Sequence, residues 1–295
     1  MNGDVLMALE QAIPALRPAE QRIARFVLDA PDALGDSTIT QLAKQCGTSP
    51  TTVARFVAAL GFSGYPEFRF AISAAVGLEQ GRRARFSVEE RDVDPNDSVE
   101  QVVSKIAYQE VSAIEQTAKS LDLAVLDAVV EAIDTADRID LFGIASSGVA
   151  AQDLQQKLHR IGLLSHCWLD PHLALTSAAL LTPESVLIAF SHSGLTVETN
   201  DVLETARASG ARTVAITNFP DSPLAEIADL TLTTAARETR FRSGAMSSRI
   251  AQLALVDILF VRIAQRRFDR LGANLERTHA AIQSHRLAPG KRPRG

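Results

Sequence analysis

Hydroxyl side chains gather in a short stretch near the middle of this 295-residue sequence. Ser191, Ser193 and Thr196 fall within six residues and surround Gly194. The apolar run 186–190 ahead of them has the length and composition of a buried strand, and a helical pattern follows. A helix start exposes free N–H groups at the positive end of the helix dipole, and a glycine lets a ligand approach the backbone. The stretch fits a phosphate site, although the same hydroxyls could serve only as helix caps.

A second turn of the same kind follows an earlier strand. The segment Arg-Ile-Asp-Leu-Phe at 138–142 predicts a strand, residues 143–148 read Gly-Ile-Ala-Ser-Ser-Gly, and a helical pattern continues to residue 161. In an open α/β sheet, ligands bind beyond the carboxyl ends of the strands, near the point where the strand order reverses. The two turns together therefore predict one phosphate site. Its candidate ligands are Ser146, Ser147, Ser191, Ser193, Gly194 and Thr196.

Strand and helix patterns alternate over the second half of the chain. Such alternation implies right-handed parallel crossovers and a parallel sheet that is covered by helices on both faces. The predicted fold class is therefore α/β, with an all-helical N-terminal domain followed by a parallel-sheet α-β-α sandwich. The predicted strands are 138–142, 163–168, 185–190, 212–217 and 230–233, and a last long helix spans 250–266.

The N-terminal residues show the spacing of a helix-turn-helix. A short helix is predicted over 40–45, and after Gly47 a second helix begins with Ser49 as its cap and Pro50 in its first position. Apolar side chains then repeat at i, i+3, i+4 and i+7 from Val53, which marks the buried face. The second helix of such a motif enters the major groove, where hydroxyls and arginine bind phosphates or base edges. The candidate DNA contacts are Thr48, Ser49, Thr51, Thr52 and Arg55.

An ordinary helical bundle with a polar outer face would show the same N-terminal pattern. Net charge does not separate the two interpretations, because residues 1–76 contain six Lys and Arg against seven Asp and Glu. The polar segment that follows carries a basic run, Arg82, Arg83 and Arg85, which would either contact the DNA backbone or lie in solvent.

Both halves of the sequence resemble known domains. Leu42-Ala43, Ser-Pro-x-x-Val-x-Arg-Phe at 49–56 and Leu-Gly-Phe-x-Gly-Tyr-x-x-Phe at 60–68 resemble the N-terminal domain of the RpiR family of bacterial transcription regulators. The two hydroxyl turns, with Ser-Pro-Leu-Ala at 222–225, resemble a sugar isomerase (SIS) domain, which binds phosphosugars. The order of the two domains matches that family as well. One departure is Ala145, at a turn position where glycine is common.

Length and composition agree with a folded two-domain protein. The predicted division is a helix-turn-helix domain over 1–77, a linker over 78–97, an SIS-type domain with leading helices over 98–270, and a tail over 271–295 that is disordered at its end. The net charge of −5 argues against binding nucleic acid over the whole surface. Two cysteines without CxxC spacing and the absence of an apolar segment long enough for a membrane span predict a cytoplasmic protein without a metal site.

The resemblance implies a transcription regulator of carbohydrate metabolism, whose DNA affinity is controlled by a phosphorylated sugar or a related metabolite that binds in the SIS domain. We expect no catalytic residues and no cofactor. The alternative is an SIS-type phosphosugar isomerase with an accessory helical domain, in which His192 and Glu238 would move protons. In a regulator, these two residues would instead recognise the sugar. The expected partners are a DNA operator with an inverted repeat, a phosphosugar effector, and further copies of the chain in a homodimer or a dimer of dimers, with no membrane.

Overall fold

The N-terminal region is helical throughout the part of it that the structure describes. The structure is a computed structural model, and it describes residues 5–35, 37–90, 92–238 and 245–283. Apart from short 3₁₀ turns, the region consists of α1 (Val5–Ala12), α2 (Pro18–Asp29), α3 (Ile39–Gln45), α4 (Pro50–Ala59) and α5 (Tyr65–Phe86).

Local caps and one shared core explain these helices. Thr38 caps α3 in a capping box with Gln41, and Gly47 follows α3 with φ +61°, a conformation that suits glycine. The side chains that face inward from α1 to α5 form one apolar cluster, in which Phe56 and Phe68 meet edge to face at 5.8 Å. The predicted helix-turn-helix therefore corresponds to α3 and α4.

A five-stranded parallel sheet forms the centre of the second region. The strand order is β2-β1-β3-β4-β5, so the order reverses between β1 and β3. This is the doubly wound arrangement that the alternating sequence pattern predicted. The strands are β1 (Arg138–Gly143), β2 (Ser165–Trp168), β3 (Ser185–Phe190), β4 (Arg212–Thr217) and β5 (Leu230–Thr233).

Helices cover both faces of the sheet. On one face, α7, α8 and α12 enclose an apolar core with the strands, and on the other face α9, α10 and α11 enclose a second. This confirms the predicted α-β-α sandwich. The helices are α6 (Val99–Ser120), α7 (Leu123–Thr135), α8 (Ser146–Arg160), α9 (Pro171–Ala178), α10 (Val197–Ala208), α11 (Pro223–Ile227), α12 (Met246–Arg266) and α13 (Phe268–Gln283).

The segment predicted as a linker, 78–97, is helical in its first half. The helix α5 continues through it to Phe86. Arg82 and Arg83 both pair with Glu79 one turn earlier, and Arg82 also pairs with Glu115 of α6. These ion pairs stabilise the helix across Gly81, and they engage two arginines of the basic run with carboxylates of the protein. The irregular connection is therefore shorter than the sequence indicated.

The predicted tail also begins with regular structure. The helix α13 extends to Gln283, and the Asn274 side chain donates to the Ile161 carbonyl (2.9 Å) at the end of α8. Residues 284–295, for which disorder was predicted, lie outside the described residues. No helix in the described ranges combines the length and the hydropathy that a membrane span requires.

Candidate functional site

A pocket of about 460 Å³ opens at the carboxyl ends of β1 and β3, where the strand order reverses. It brings together residues that the sequence placed in two separate turns. Gly194 shapes one of these turns without lining the pocket. The lining consists of Ile144, Ala145, Ser146, Ser147, Phe190, Ser191, His192, Ser193, Thr196, Glu238 and Ala245.

The turn after β1 is tightly packed and strained. A Cβ atom on Gly148 would lie 2.6 Å from the carbonyl oxygen of Gly143, so the two glycines let the strand end touch the first turn of α8. Ala145 holds φ +53° and ψ −123°, a conformation that glycine adopts far more readily than alanine. This backbone conformation turns the chain sharply, so that α8 begins at Ser146 on the pocket wall.

Ser147 is held by a residue that the sequence did not single out. The side chain of Gln252 in α12, which is only 1% exposed, donates to Ser147 Oγ (3.2 Å). Because this oxygen already accepts a hydrogen bond, the serine hydroxyl is oriented to donate elsewhere. The two residues are 105 positions apart, and only a polar side chain on the apolar face of α12 marked Gln252 in the sequence.

The turn after β3 is shaped by its own hydroxyls. The Gly194 N–H donates to Ser191 Oγ (3.1 Å), and Ser191 Oγ lies 3.1 Å from Thr196 Oγ1. Ser193 Oγ accepts from the Leu195 N–H (3.2 Å). Gly194 has φ +65°, and a Cβ atom there would lie 2.1 Å from Ser222 Oγ, so no larger residue fits. No described side chain caps α8 or α10, so these bonds shape the turn rather than the helix starts. The Ser193 hydroxyl keeps a hydrogen that it can donate, and the Ser191–Thr196 pair keeps one beyond the bond that the two hydroxyls share.

Three helices begin at this pocket. Ser146 is the first residue of α8, and Thr196 and Ala245 directly precede α10 and α12. All three line the pocket. Helix starts present unpaired N–H groups and positive potential. The described lining contains no lysine or arginine. The site can therefore attract an anion through dipoles and hydroxyls.

His192 and Glu238 lie at the pocket wall, where each also supports the fold. One Glu238 carboxylate oxygen accepts from the Ser248 N–H (2.7 Å) and so caps α12. The His192 ring packs edge to face on Phe219 at 5.8 Å, and the Asn218 N–H donates to its carbonyl (3.0 Å). A carboxylate repels an anion, so Glu238 does not add to the anion-attracting part of the pocket.

The two cysteine thiols lie in surroundings that disfavour their ionised form. Burial raises the pKa of the Cys167 thiol to about 11. Burial also raises the pKa of the Cys46 thiol, against the opposing charge of Arg22. Both thiols therefore stay protonated near neutral pH, and a thiol is far less nucleophilic than a thiolate.

The outer face of α4 divides the predicted DNA contacts into two kinds. Ser49 Oγ accepts from the Thr52 N–H (3.1 Å) and so caps the helix, and the Thr52 hydroxyl lies 2.9 Å from it. Thr51 and Arg55 are exposed one helical turn apart. No described residue forms an ion pair or hydrogen bond with the Arg55 side chain, which leaves it available to DNA. Thr48 is half-buried in the turn.

Comparisons with known proteins agree with both regions. The family model of the rpiR-type helix-turn-helix domain matches residues 3–77, and that of the SIS domain matches residues 132–262. An HTH-type transcriptional regulator of Caldanaerobacter subterraneus subsp. tengcongensis is 34% identical over 96% of this chain and 99% of its own length. Another from Haemophilus influenzae is 31% identical over 97% and 99%.

Solved structures show the same fold. The Vibrio vulnificus NanR protein, solved in complex with ManNAc-6P, is 26% identical with a TM-score of 0.61, over 96% of this chain and all of that one. The sugar isomerase domain of an RpiR transcription factor from Sphaerobacter thermophilus is 26% identical with a TM-score of 0.57, over 61% of this chain and 99% of that one. The relatives point to a regulator rather than an enzyme. The chain belongs to the RpiR family of helix-turn-helix transcriptional regulators that carry an SIS domain.

Proposed function

We propose that a phosphorylated sugar bound in the β1/β3 pocket controls the affinity of this regulator for its DNA operator. The observation that carries the proposal is the convergence of hydroxyl donors and helix starts at the strand-order reversal. The complex of the similar NanR protein with ManNAc-6P supports a phosphosugar as the ligand class.

The phosphate would lie between the two turns. Ser147 and Ser193 each accept a hydrogen bond from the protein, so their hydroxyl hydrogens can point to a phosphate oxygen. Ser191 and Thr196 share one bond, which leaves the pair one further hydrogen. Ser146 and the backbone around Gly194 complete the proposed phosphate contacts. His192 and Glu238 are proposed to contact the sugar.

The DNA would be read by the outer face of α4. Thr51 and Arg55 are the proposed base or phosphate contacts, while Ser49 and Thr52 keep the helix start in shape and Thr48 flanks it. One such helix touches few base pairs, so we propose that a homodimer or a dimer of dimers reads an inverted repeat. Light scattering at micromolar concentration tests this, and a monomer that binds its operator tightly would contradict it.

Calorimetry tests the ligand class directly. ManNAc-6P and a panel of hexose and pentose phosphates are titrated into the protein, with unphosphorylated N-acetylmannosamine as the matched control. We expect at least one phosphosugar to bind and its unphosphorylated form to bind at least 100-fold more weakly, since the phosphate would supply several charge-assisted hydrogen bonds. Equal binding of a sugar with and without its phosphate would refute the proposed site.

A further inference from the structure

Two adjacent residues at the end of α1 join the DNA-binding region to the sheet region. The Gln11 side-chain amide donates to the carbonyls of Asn218 (2.6 Å) and Thr234 (3.2 Å). Next to it, Glu10 Oε2 lies 2.5 Å from Arg237 Nε. These five residues are called the α1 contact below. The bonded residues are more than 200 positions apart in the sequence, so the α1 contact is part of the packing between the two regions.

Asn218 connects the α1 contact to the pocket through one residue. Its N–H donates to the carbonyl of His192, which lines the pocket, while its own carbonyl accepts from Gln11. Asn218 is 2% exposed, and its side-chain oxygen accepts from the Ala236 N–H (2.8 Å). A buried residue bonded on three sides transmits a displacement instead of absorbing it.

Arg237 provides a second connection to the same pocket. It precedes Glu238, whose carboxylate lines the pocket and caps α12. Ala235 in the same segment donates its N–H to Thr117 of α6 (3.0 Å), which fixes the segment from its other side. A ligand that draws Glu238 toward a sugar hydroxyl would therefore also move Arg237.

On the DNA side, α1 is part of the core that carries α4. Leu6 and Leu9 are buried in the same apolar cluster as Val53 and Phe56 of α4. A shift of α1 relative to the sheet therefore moves or releases the whole DNA-binding region. An effector changes DNA affinity only if its contacts differ between two arrangements, and the α1 contact supplies a feature that can differ.

We infer that the α1 contact is the connection through which the pocket sets the position of the DNA-binding region. Glu10 and Gln11 are positioning residues that touch neither ligand nor DNA. Their bonds to Arg237 and Asn218 change when a ligand in the pocket displaces those two residues. The inference rests on the proposed effector control for its biological meaning.

Charge exchange at the Glu10–Arg237 pair gives the sharpest test. The variants are Glu10→Arg, Arg237→Glu, the double exchange, and Gln11→Ala. Gln21→Ala is the matched control, because Gln21 donates to the Leu16 carbonyl (2.9 Å) entirely within the N-terminal region. Operator Kd is measured by fluorescence anisotropy on the DNA upstream of the gene, without ligand and with saturating ManNAc-6P. Circular dichroism and thermal unfolding establish that each variant is folded.

Each single substitution in the α1 contact is expected to change the ligand-free operator Kd by about threefold or more. Each should also reduce the effect of ManNAc-6P on operator Kd by about fivefold or more, within the usual range of coupling between sites. The double exchange should restore both values, and Gln21→Ala should match the wild type.

Two outcomes overturn the inference. One is that the folded single variants match the wild type with and without ManNAc-6P. The other is that the double exchange is no closer to the wild type than the single exchanges. A third outcome separates this inference from the proposed function. If ManNAc-6P leaves the wild-type operator Kd unchanged while the variants change the ligand-free Kd as expected, control by this effector is refuted, but the role of the α1 contact in positioning the DNA-binding region is supported.

Discussion

Substitutions of Ser193 and Ser191 distinguish a hydroxyl that contacts the ligand from one that mainly supports the fold. Ser193 is half-exposed at the pocket, and its only described bond is from the Leu195 N–H, in an exposed part of the turn. Ser193→Ala removes one proposed donor to a charged phosphate, which contributes about 1.5–3 kcal/mol. We expect phosphosugar binding to weaken by roughly 10- to 100-fold, with the free energy of unfolding changed by less than ~0.5 kcal/mol.

Ser191→Ala should act on stability as well. Ser191 is 3% exposed, and its hydroxyl accepts from the Gly194 N–H and pairs with Thr196. Its removal breaks the bond to Thr196 and takes one of two acceptors from the Gly194 N–H, which still donates to the Ser191 carbonyl (3.2 Å). We expect a loss of about 0.5–1.5 kcal/mol of stability, in addition to weaker ligand binding.

Calorimetry with ManNAc-6P and urea unfolding of each variant separate the two effects. Ser209→Ala is the matched control, because its hydroxyl donates to the Thr205 carbonyl (3.0 Å) at the other end of α10. Ligand affinity of Ser193→Ala equal to that of the wild type would refute its role in the site. A loss of stability in Ser193→Ala as large as in Ser191→Ala would refute the division between the two hydroxyls.

Three further predictions concern DNA affinity, backbone strain and pH. Arg55→Ala should weaken operator binding by roughly 1–3 kcal/mol if it reads a guanine, or reduce the salt slope by about one if it binds a phosphate, and unchanged anisotropy would remove it from the interface. Ala145→Gly should leave the free energy of unfolding in urea unchanged or raise it by ~1 kcal/mol, because φ +53° suits glycine. The control Ala74→Gly, at an exposed position inside α5, should lower it by ~1 kcal/mol. The hydrogen bond from Lys105 lowers the pKa of Asp97 in the folded protein. Ionised Asp97 therefore stabilises the fold above the unfolded-state pKa of about 3.9, and this contribution is lost as the pH falls from there through the lower folded-state pKa. Asp97→Asn should therefore reduce the loss of stability on acidification, and identical pH profiles would contradict this.

Much of the fold could be predicted because its signals are local. The predicted strands 185–190 and 212–217 match β3 and β4 at both ends, since each has a short apolar centre bounded by polar residues and turns, which allows little choice. The first half of the predicted linker was different. Gly81 with a run of charges resembled a flexible segment, and only ion pairs to Glu79 and Glu115 reveal why α5 continues.

The candidate site was predictable to the same extent. The two hydroxyl turns were identified from spacing, and parallel strands bring their ends together by necessity. The bonds that orient those hydroxyls were not predictable, because Gln252 and Ser147 meet only in the folded chain. The same holds for the bond between Gln11 and Asn218, which no periodicity in the sequence encodes.

The most direct test of phosphosugar control is the operator affinity of the wild-type chain with and without a bound phosphosugar. Fluorescence anisotropy on the DNA upstream of the gene is measured with saturating phosphosugar, with the unphosphorylated sugar, and with random DNA as the specificity control. We predict that a phosphosugar that binds by calorimetry changes operator Kd by about fivefold or more, and that its unphosphorylated form does not. An operator Kd that stays constant while the pocket is filled would contradict the account.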